Sequence, residues 1–390
     1  MERCDVAIVG GGPVGLLLGC LLAQRGLDVR VLEQSLTRRE HSRAVGVHPP
    51  GLACLAQAGV AEPVLAHAVR VRRAFAFGDG GTLGQISFHN LPGPYPFVLT
   101  VPQNLTERTL EQRLLSLSHA ALRRGERVSA VSSSDDGAIL TLGSSRSFAD
   151  EPMRQLRARF VVGCDGKQSA VRSALNIPFR GAAYREHFVM ADTADETPFA
   201  DAAAVFLTRA GLVESFPLPG GIRRWVVGLR DKASAATAEL VERLVAERTG
   251  QLARARTASM VSAFTAEHFL AGRFAAGPFA LAGDAAHVVS PIGGQGMNLG
   301  WLDVSMLDEV LAAALDKPSD STRLLSHYAR TRRRAARSAM LRAELFMAIG
   351  QTRRLVPLRD LTIRAMLAPL LVQRAAELFT MRGLASPRLS

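Results

Sequence analysis

Residues 5–33 read DVAIVGGGPVGLLLGCLLAQRGLDVRVLE, and this stretch decides the fold. An apolar run from Asp5 to Val9 meets the glycine turn Gly10-x-Gly12-x-x-Gly15. A helical stretch from Pro13 to Arg25 follows, then a second apolar run from Val29 to Leu32 that closes on Glu33. Strand, glycine turn, helix and strand in that order predict a βαβ opening. Gly10 permits the tight turn, Gly12 lets backbone N–H groups approach a pyrophosphate, and Gly15 allows close helix packing, while the helix N-terminus adds partial positive charge. Glu33 is placed to accept hydrogen bonds from adenosine ribose hydroxyls. This motif alone leaves the choice between FAD and NAD open.

Two further turns narrow it. Gly163-Cys164-Asp165-Gly166-Lys167-Gln168-Ser169 follows the strand-like Phe160 to Val162 and enters a short helix. Asp165 sits where a carboxylate meets ribityl or ribose hydroxyls, and Ser169 is suited to cap the next turn. The third turn is Gly283-Asp284-Ala285-Ala286-His287, continuing through Pro291 and Gly293-Gly294-Gln295-Gly296-Met297-Asn298 to Gly300 and Asp303. Asp284 ends a strand, and the glycine run exposes backbone N–H groups where a helix begins, near Gly296. That arrangement sets a positive dipole end against a group that gains negative charge, as a flavin ring does on reduction.

These three turns, in this order, resemble those of the class A flavoprotein monooxygenases, the family of para-hydroxybenzoate hydroxylase and the polyketide and phenol hydroxylases. The resemblance runs from about residue 5 to residue 340. It implies that Gly10, Gly12, Pro13, Val14, Gly15, Glu33 and Gln34 hold the ADP half of FAD. It also implies cofactor contacts from Arg43 in Ser42-Arg43-Ala44, Gln103 in Val101-Pro102-Gln103, Val128 and Asp165. Asp284 is expected at the pyrophosphate-ribityl region, and Pro291 with Gly294, Gln295, Gly296, Met297 and Asn298 at the isoalloxazine ring. By the same resemblance NAD(P)H binds transiently as the reductant, O2 adds at the flavin C4a, and the hydroperoxide hydroxylates an electron-rich carbon of an aromatic or polyketide-like substrate. No second strand-GxGxxG-helix unit for a nicotinamide cofactor is present. A Trp-x-Trp-x-Ile-Pro segment is absent, which argues against the flavin halogenases, and the basic C-terminal helices show no sign of a thioredoxin-like domain.

The expected fold is α/β, a Rossmann-like FAD-binding domain interleaved with an antiparallel-sheet substrate domain and followed by C-terminal helices. Residues 1–75, 98–180 and 270–320 are assigned to the first, 76–97 and 181–269 to the second, and 321–390 to the helices. Within this frame a helix is expected over Pro50 to Ala58 and another over Leu105 to Arg123. Strands are expected at Ala203 to Leu207, Leu212 to Phe216 and Arg224 to Leu229, separated by Gly211 and Gly220-Gly221. Phe206, Phe216 and Trp225 on that sheet are candidates for the substrate pocket, although alternating aromatic residues equally serve a packed layer.

With 390 residues the chain is long enough for a large core, and its four cysteines lack any CxxC pair or histidine cluster, so neither a disulfide framework nor a metal site is expected. A cytoplasmic setting fits. The net charge of +12 is spread widely, which argues against nucleic acid. Its densest cluster, Arg330 to Arg337, reads as the solvated face of a long helix, with peripheral contact to anionic lipid as the alternative. No apolar run is long enough to span a bilayer. No catalytic side chain is singled out, because the flavin is the reactive group; His287 and His48 read as structural. Competing functions are a flavin-dependent reductase or dehydrogenase acting on isoprenoid-like substrates and a flavin-binding protein without turnover.

Overall fold

The computed structural model describes residues 1–38, 44–144, 153–231, 235–351 and 355–384. Strand Glu2–Val9 lies at the heart of a parallel sheet, with Val29–Glu33 on one side and Arg154–Gly163 on the other; Leu122–Arg124 and Phe279–Leu281 extend it in parallel. Val6, Ala7 and Ile8 are fully buried, as consecutive apolar residues must be in a strand covered on both faces. Helix Pro13–Gln24 has Pro13 in its first turn and is apolar all round from Gly15 to Leu22. It packs against both Gln103–Leu117 and the long helix Gln295–Asp316, which is why no face is left polar.

A second sheet runs in the order His287–Val288, Met260–Ala271, Phe179–Ala194, Ile222–Leu229, Gly211–Leu218, Ala203–Thr208, Arg73–Gly78, Gly81–Ser87. All its pairings are antiparallel except that of Ala203–Thr208 with Arg73–Gly78. The outer face is covered by helix Ala238–Thr249, capped by the Thr237 hydroxyl at its start and by left-handed Gly250 at its end. The inner face turns toward the glycine turns and the C-terminal helices Ser321–Gln351, Val356–Met366 and Val372–Phe379. The class is therefore α/β with a parallel and an antiparallel sheet. Among the described residues no helix is long and apolar enough to cross a membrane.

Two expectations need correction. The helix expected to run to Arg123 stops at Leu117; Ser118 is extended, and Leu122–Arg124 pairs in parallel with Val31 to Glu33, so tertiary pairing overrides local helical propensity. The arginine run on helix Ser321–Gln351 is not one solvated face. Arg332 is fully buried and Arg333 donates to the Ala271 carbonyl, whereas Arg334 and Arg337 are exposed. The long strands Phe179–Ala194 and Met260–Ala271 and helix Ala238–Thr249 are elements that the sequence did not single out.

Arg332 is buried for a reason. Its Nε donates to Asp303 Oδ1 at 2.8 Å, while Asp303 Oδ2 lies 2.6 Å from His287 Nε2 and accepts from the Gly283 N–H at 3.1 Å. Burial alone would raise the Asp303 carboxyl, but the charges and hydrogen bonds of His287 and Arg332 hold it below the ordinary aspartate value. Replacing Arg332 by Met should cost about 3–5 kcal/mol in urea unfolding, because it strands a buried charge. Asp303's contribution should be complete above about pH 4 and lost as pH falls through its depressed folded value.

Candidate active site

The first turn meets the second by backbone alone. The Cys164 N–H donates to the Val9 carbonyl at 2.7 Å, and a Cβ on Gly10, whose φ is +106°, would strike the Cys164 carbonyl. Gly15 lies so close to Gly10 that a side chain there would hit the Gly10 carbonyl oxygen. Gly12 differs, because a Cβ there would meet nothing within 4 Å: it opens onto space. Glu33 accepts the Gly11 N–H at 2.8 Å on one oxygen and the Ser35 N–H at 2.7 Å on the other. These bonds fix the carboxylate at the lip of the turn and leave lone pairs facing outward.

The second and third turns are joined by Arg172, which donates to the Ala285 carbonyl at 2.9 Å and to the Lys167 carbonyl at 2.6 Å. Ser169 caps the short helix by accepting from the Arg172 N–H at 2.9 Å. Asp165 Oδ2 accepts two more backbone N–H groups, from Ala170 and Val171, whereas its buried Oδ1 has no partner. The third turn is drawn onto the first helix by small residues. A Cβ on Gly300 would come within 2.7 Å of Val14, and Trp301 Nε1 donates to the Pro13 carbonyl at 3.0 Å.

All three turns open on one continuous cavity of about 1280 Å³. That exceeds the ~300–1,000 Å³ of ordinary small-molecule clefts and leaves room for a long cofactor and a substrate together. Gly10, Gly12, Pro13, Val14, Glu33, Gln34, Gln103, Val128 and Asp165 line it, as do Asp284, Pro291, Gly294, Gly296, Met297 and Phe216. Asp284 is exposed into the cavity, and the protein mass walling that cavity pushes its carboxyl upward, with His287 and Lys167 opposing. Helix Gln295–Asp316 begins at the cavity behind Gly293 and Gly294, both at positive φ, so 22 residues of aligned peptide dipoles end there. An unpartnered carboxylate oxygen on Asp165, open space at Gly12 and two helix starts fit the hydroxyl-rich, diphosphate-bearing shape of FAD.

Other expected residues sit elsewhere. Gly15 serves packing rather than lining. The Gln295 side chain is fully buried with both amide atoms unpartnered, and it does not line the cavity. Asn298 is a clamp: its amide donates to the Gly46 and Gly294 carbonyls and accepts from the His48 N–H. Phe206 and Trp225 do not reach the cavity. They lie on the outer face of the second sheet with Val213, Val241 and Val245, because strand parity sends them opposite to Phe216 and Arg224. Arg43 lies outside the described residues. His287 is buried on Asp303 away from the cavity.

Sequence reasoning read one lining residue, His48, as structural and passed over several others. His48 is buried; its Nε2 donates to the Gly293 carbonyl at 2.7 Å, and its Nδ1 has no partner. Burial holds this imidazole down, to about 4, so it is neutral. Glu214, Met190, Arg224, Val226 and Phe264 come from the inner face of the second sheet. Strand parity relative to Phe216 was the available signal for Glu214; nothing local marked His48. For the glycines two different outcomes are expected. Gly12→Ala should leave the urea midpoint within about 0.5 kcal/mol of wild type while weakening FAD binding at least ten-fold by equilibrium dialysis. Gly15→Ala should cost about 1–3 kcal/mol through overpacking against Gly10.

Residues 3–343 match the family model described as an FAD binding domain. Among curated proteins, the chain is 31% identical over 350 residues to para-nitrophenol 4-monooxygenase of Pseudomonas sp. strain WBC-3, covering 86% of this chain and 84% of that one. It is 32% identical over 321 residues to rifampicin monooxygenase of Streptomyces venezuelae, covering 80% of this chain and 64% of the relative. The chain thus spans just under two thirds of that relative's length, and 63% of the anhydrotetracycline monooxygenase of Streptomyces rimosus. Among solved structures, p-nitrophenol 4-monooxygenase from Pseudomonas putida DLL-E4 superposes with a TM-score of 0.87 at 25% identity over the whole of both chains. The anhydrotetracycline hydroxylase from Streptomyces rimosus gives 0.78 at 30% identity, covering 97% of this chain and 76% of that one. The three converging turns and these matches lead to one conclusion: the chain belongs to the class A FAD-dependent monooxygenase family.

Proposed function

We propose that this chain hydroxylates an aromatic or polyketide-like small molecule, using NAD(P)H and O2. The observation that carries this reading is the single cavity, polar and glycine-lined at the three turns and walled at its other end by Met190, Phe216, Val226 and Phe264. When bound, FAD supplies the electron transfer from NAD(P)H and the oxygen transfer to the substrate. The protein's own share is binding, orientation and exclusion of water. The backbone at Gly12 and the start of helix Pro13–Gln24 would hold the pyrophosphate, with Glu33, fixed by the Gly11 N–H, on the adenosine ribose. Asp165 and Asp284 would take ribityl hydroxyls, and the start of helix Gln295–Asp316 would stabilise negative charge developing on the ring. The apolar wall would keep water from the reacting carbon.

On this reading residues 1–75, 98–180 and 270–320 make the cofactor half and residues 76–97 and 181–269 the substrate half, the cavity lying between them. A cytoplasmic setting fits free cysteines: Cys4, Cys20 and Cys54 are buried, and burial pushes the first two up to about 12, away from the reactive thiolate.

Purified protein should carry FAD and show NAD(P)H oxidation stimulated at least ten-fold by a member of a phenol and polyketide panel. Labelled oxygen from O2 should enter the product. NAD(P)H oxidation tightly coupled to substrate reduction without oxygen uptake would instead identify the reductase alternative. A flavin that NAD(P)H does not reduce in stopped flow would identify a binding protein without turnover.

A further inference from the structure

Among the described residues two carboxylates of the second sheet line the cavity: Glu267, which is paired with Lys167 at 2.5 Å, and Glu214, which has no such partner. Glu214 sits on strand Gly211–Leu218 between Leu212 and Phe216, opposite Val226 on one neighbouring strand and Val205 on the other. Its exposure is 7%. Among the described residues it accepts no hydrogen bond and forms no ion pair. A buried acid with no counter-charge is costly to a fold, and such groups persist where a ligand completes them. Arg224, on the same face, lies two pairs along the ladder and is bound side-on by Asp192, at 2.6 and 2.7 Å. The second unfinished group at this end is His48. A carbonyl only accepts, so the proton of this imidazole is on the Nε2 that bonds Gly293, and the unpartnered Nδ1 is an acceptor. Both open valences therefore ask for a donor.

We infer that Glu214 selects the substrate: it accepts a hydrogen bond from a hydroxyl or amino group on the ring to be hydroxylated, and it rejects rings bearing a carboxylate at that position. This rests on the aromatic-hydroxylase reading above and names the chemistry of its substrate. The discrimination is negative as well as positive, since a carboxylate against Glu214 would set two like charges together in a poorly screened pocket. Other charges packed around this face are engaged elsewhere. Glu344 of helix Ser321–Gln351 accepts from Tyr184, and Arg359 of helix Val356–Met366 bonds Asp360 and the Leu207 carbonyl. His48 stays neutral, and Arg224 stays with Asp192. Burial pushes the Glu214 carboxyl up to about 7, so it is ionised at pH 8 and protonated at pH 6. Only when protonated does it tolerate, and donate to, an incoming carboxylate.

The test uses the FAD-loaded protein and a matched pair of probes, 2-naphthol and 2-naphthoate, with binding read by equilibrium dialysis. At pH 8 the wild type should favour naphthol at least ten-fold, and naphthoate should bind several-fold tighter at pH 6, where it is still ionised. In Glu214→Gln, whose amide both donates and accepts, the preference should fall below three-fold and the pH effect should vanish. The FAD absorbance spectrum and stoichiometry of the variant should match wild type, which establishes that it is folded. A wild-type preference below ten-fold, a preference that survives Glu214→Gln, or failure of the wild type to bind either probe would overturn the assignment. If phenols still drive oxygen uptake in that event, the hydroxylase reading stands without it; if FAD binds and no aromatic compound drives oxygen uptake, the hydroxylase reading is what falls.

Discussion

One buried carboxylate, Asp303, holds the cofactor end of this protein in register. It reaches the backbone of the third turn at Gly283, the imidazole of His287 and the guanidinium of Arg332, and all three side chains are cut off from solvent. Three successive segments, a turn, the long helix behind it and the first C-terminal helix, are thereby locked together at one point. Arg332 also donates to the Leu384 carbonyl, so the chain's last described residue is fastened to the same node. Ion pairs in such dry surroundings are expensive to assemble, and they hold because each remaining valence is matched. His287, read from the sequence as structural, is spent on this lock.

Around that node the glycines act by what they leave out. Gly10 and Gly15 let backbone touch backbone, and Gly300 lets the long helix settle on Val14. Within the Gly10-x-Gly12-x-x-Gly15 motif, Gly12 alone faces open space. A motif that reads as one pattern in sequence thus divides into packing positions and a binding position. The same division runs through the third turn, where Gly294, Gly296 and Met297 line the cavity while Asn298 clamps Gly46 and His48 behind it.

The second sheet is the less legible half. Its inner and outer faces are both apolar, so alternation of polar and apolar residues does not mark which way a side chain points. Phe206, Phe216 and Trp225 looked alike as candidates, yet pairing sends Phe216 to the cavity and the other two under helix Ala238–Thr249. The 16-residue strand Phe179–Ala194 joins this sheet through a register shift between Ala183 and His187, a distortion no local propensity announces. Leu122–Arg124 was drawn out of an expected helix by an empty edge beside Val29–Glu33.

By itself the sequence determined the α/β class and the three turns, whose order carries the resemblance to an FAD-binding family. Each of these depends on residues near one another in the chain: a strand, a glycine spacing, a helix start. Only the tertiary structure decided which side chains face the substrate. His48 and Glu214 are 166 positions apart (214 − 48) and line one cavity because of how a loop beside Gly293 and an inner sheet face are brought together. Whether an acid stays charged, or an imidazole stays neutral, follows from what surrounds it, and burial is a property of the assembled fold rather than of any residue's neighbours in sequence.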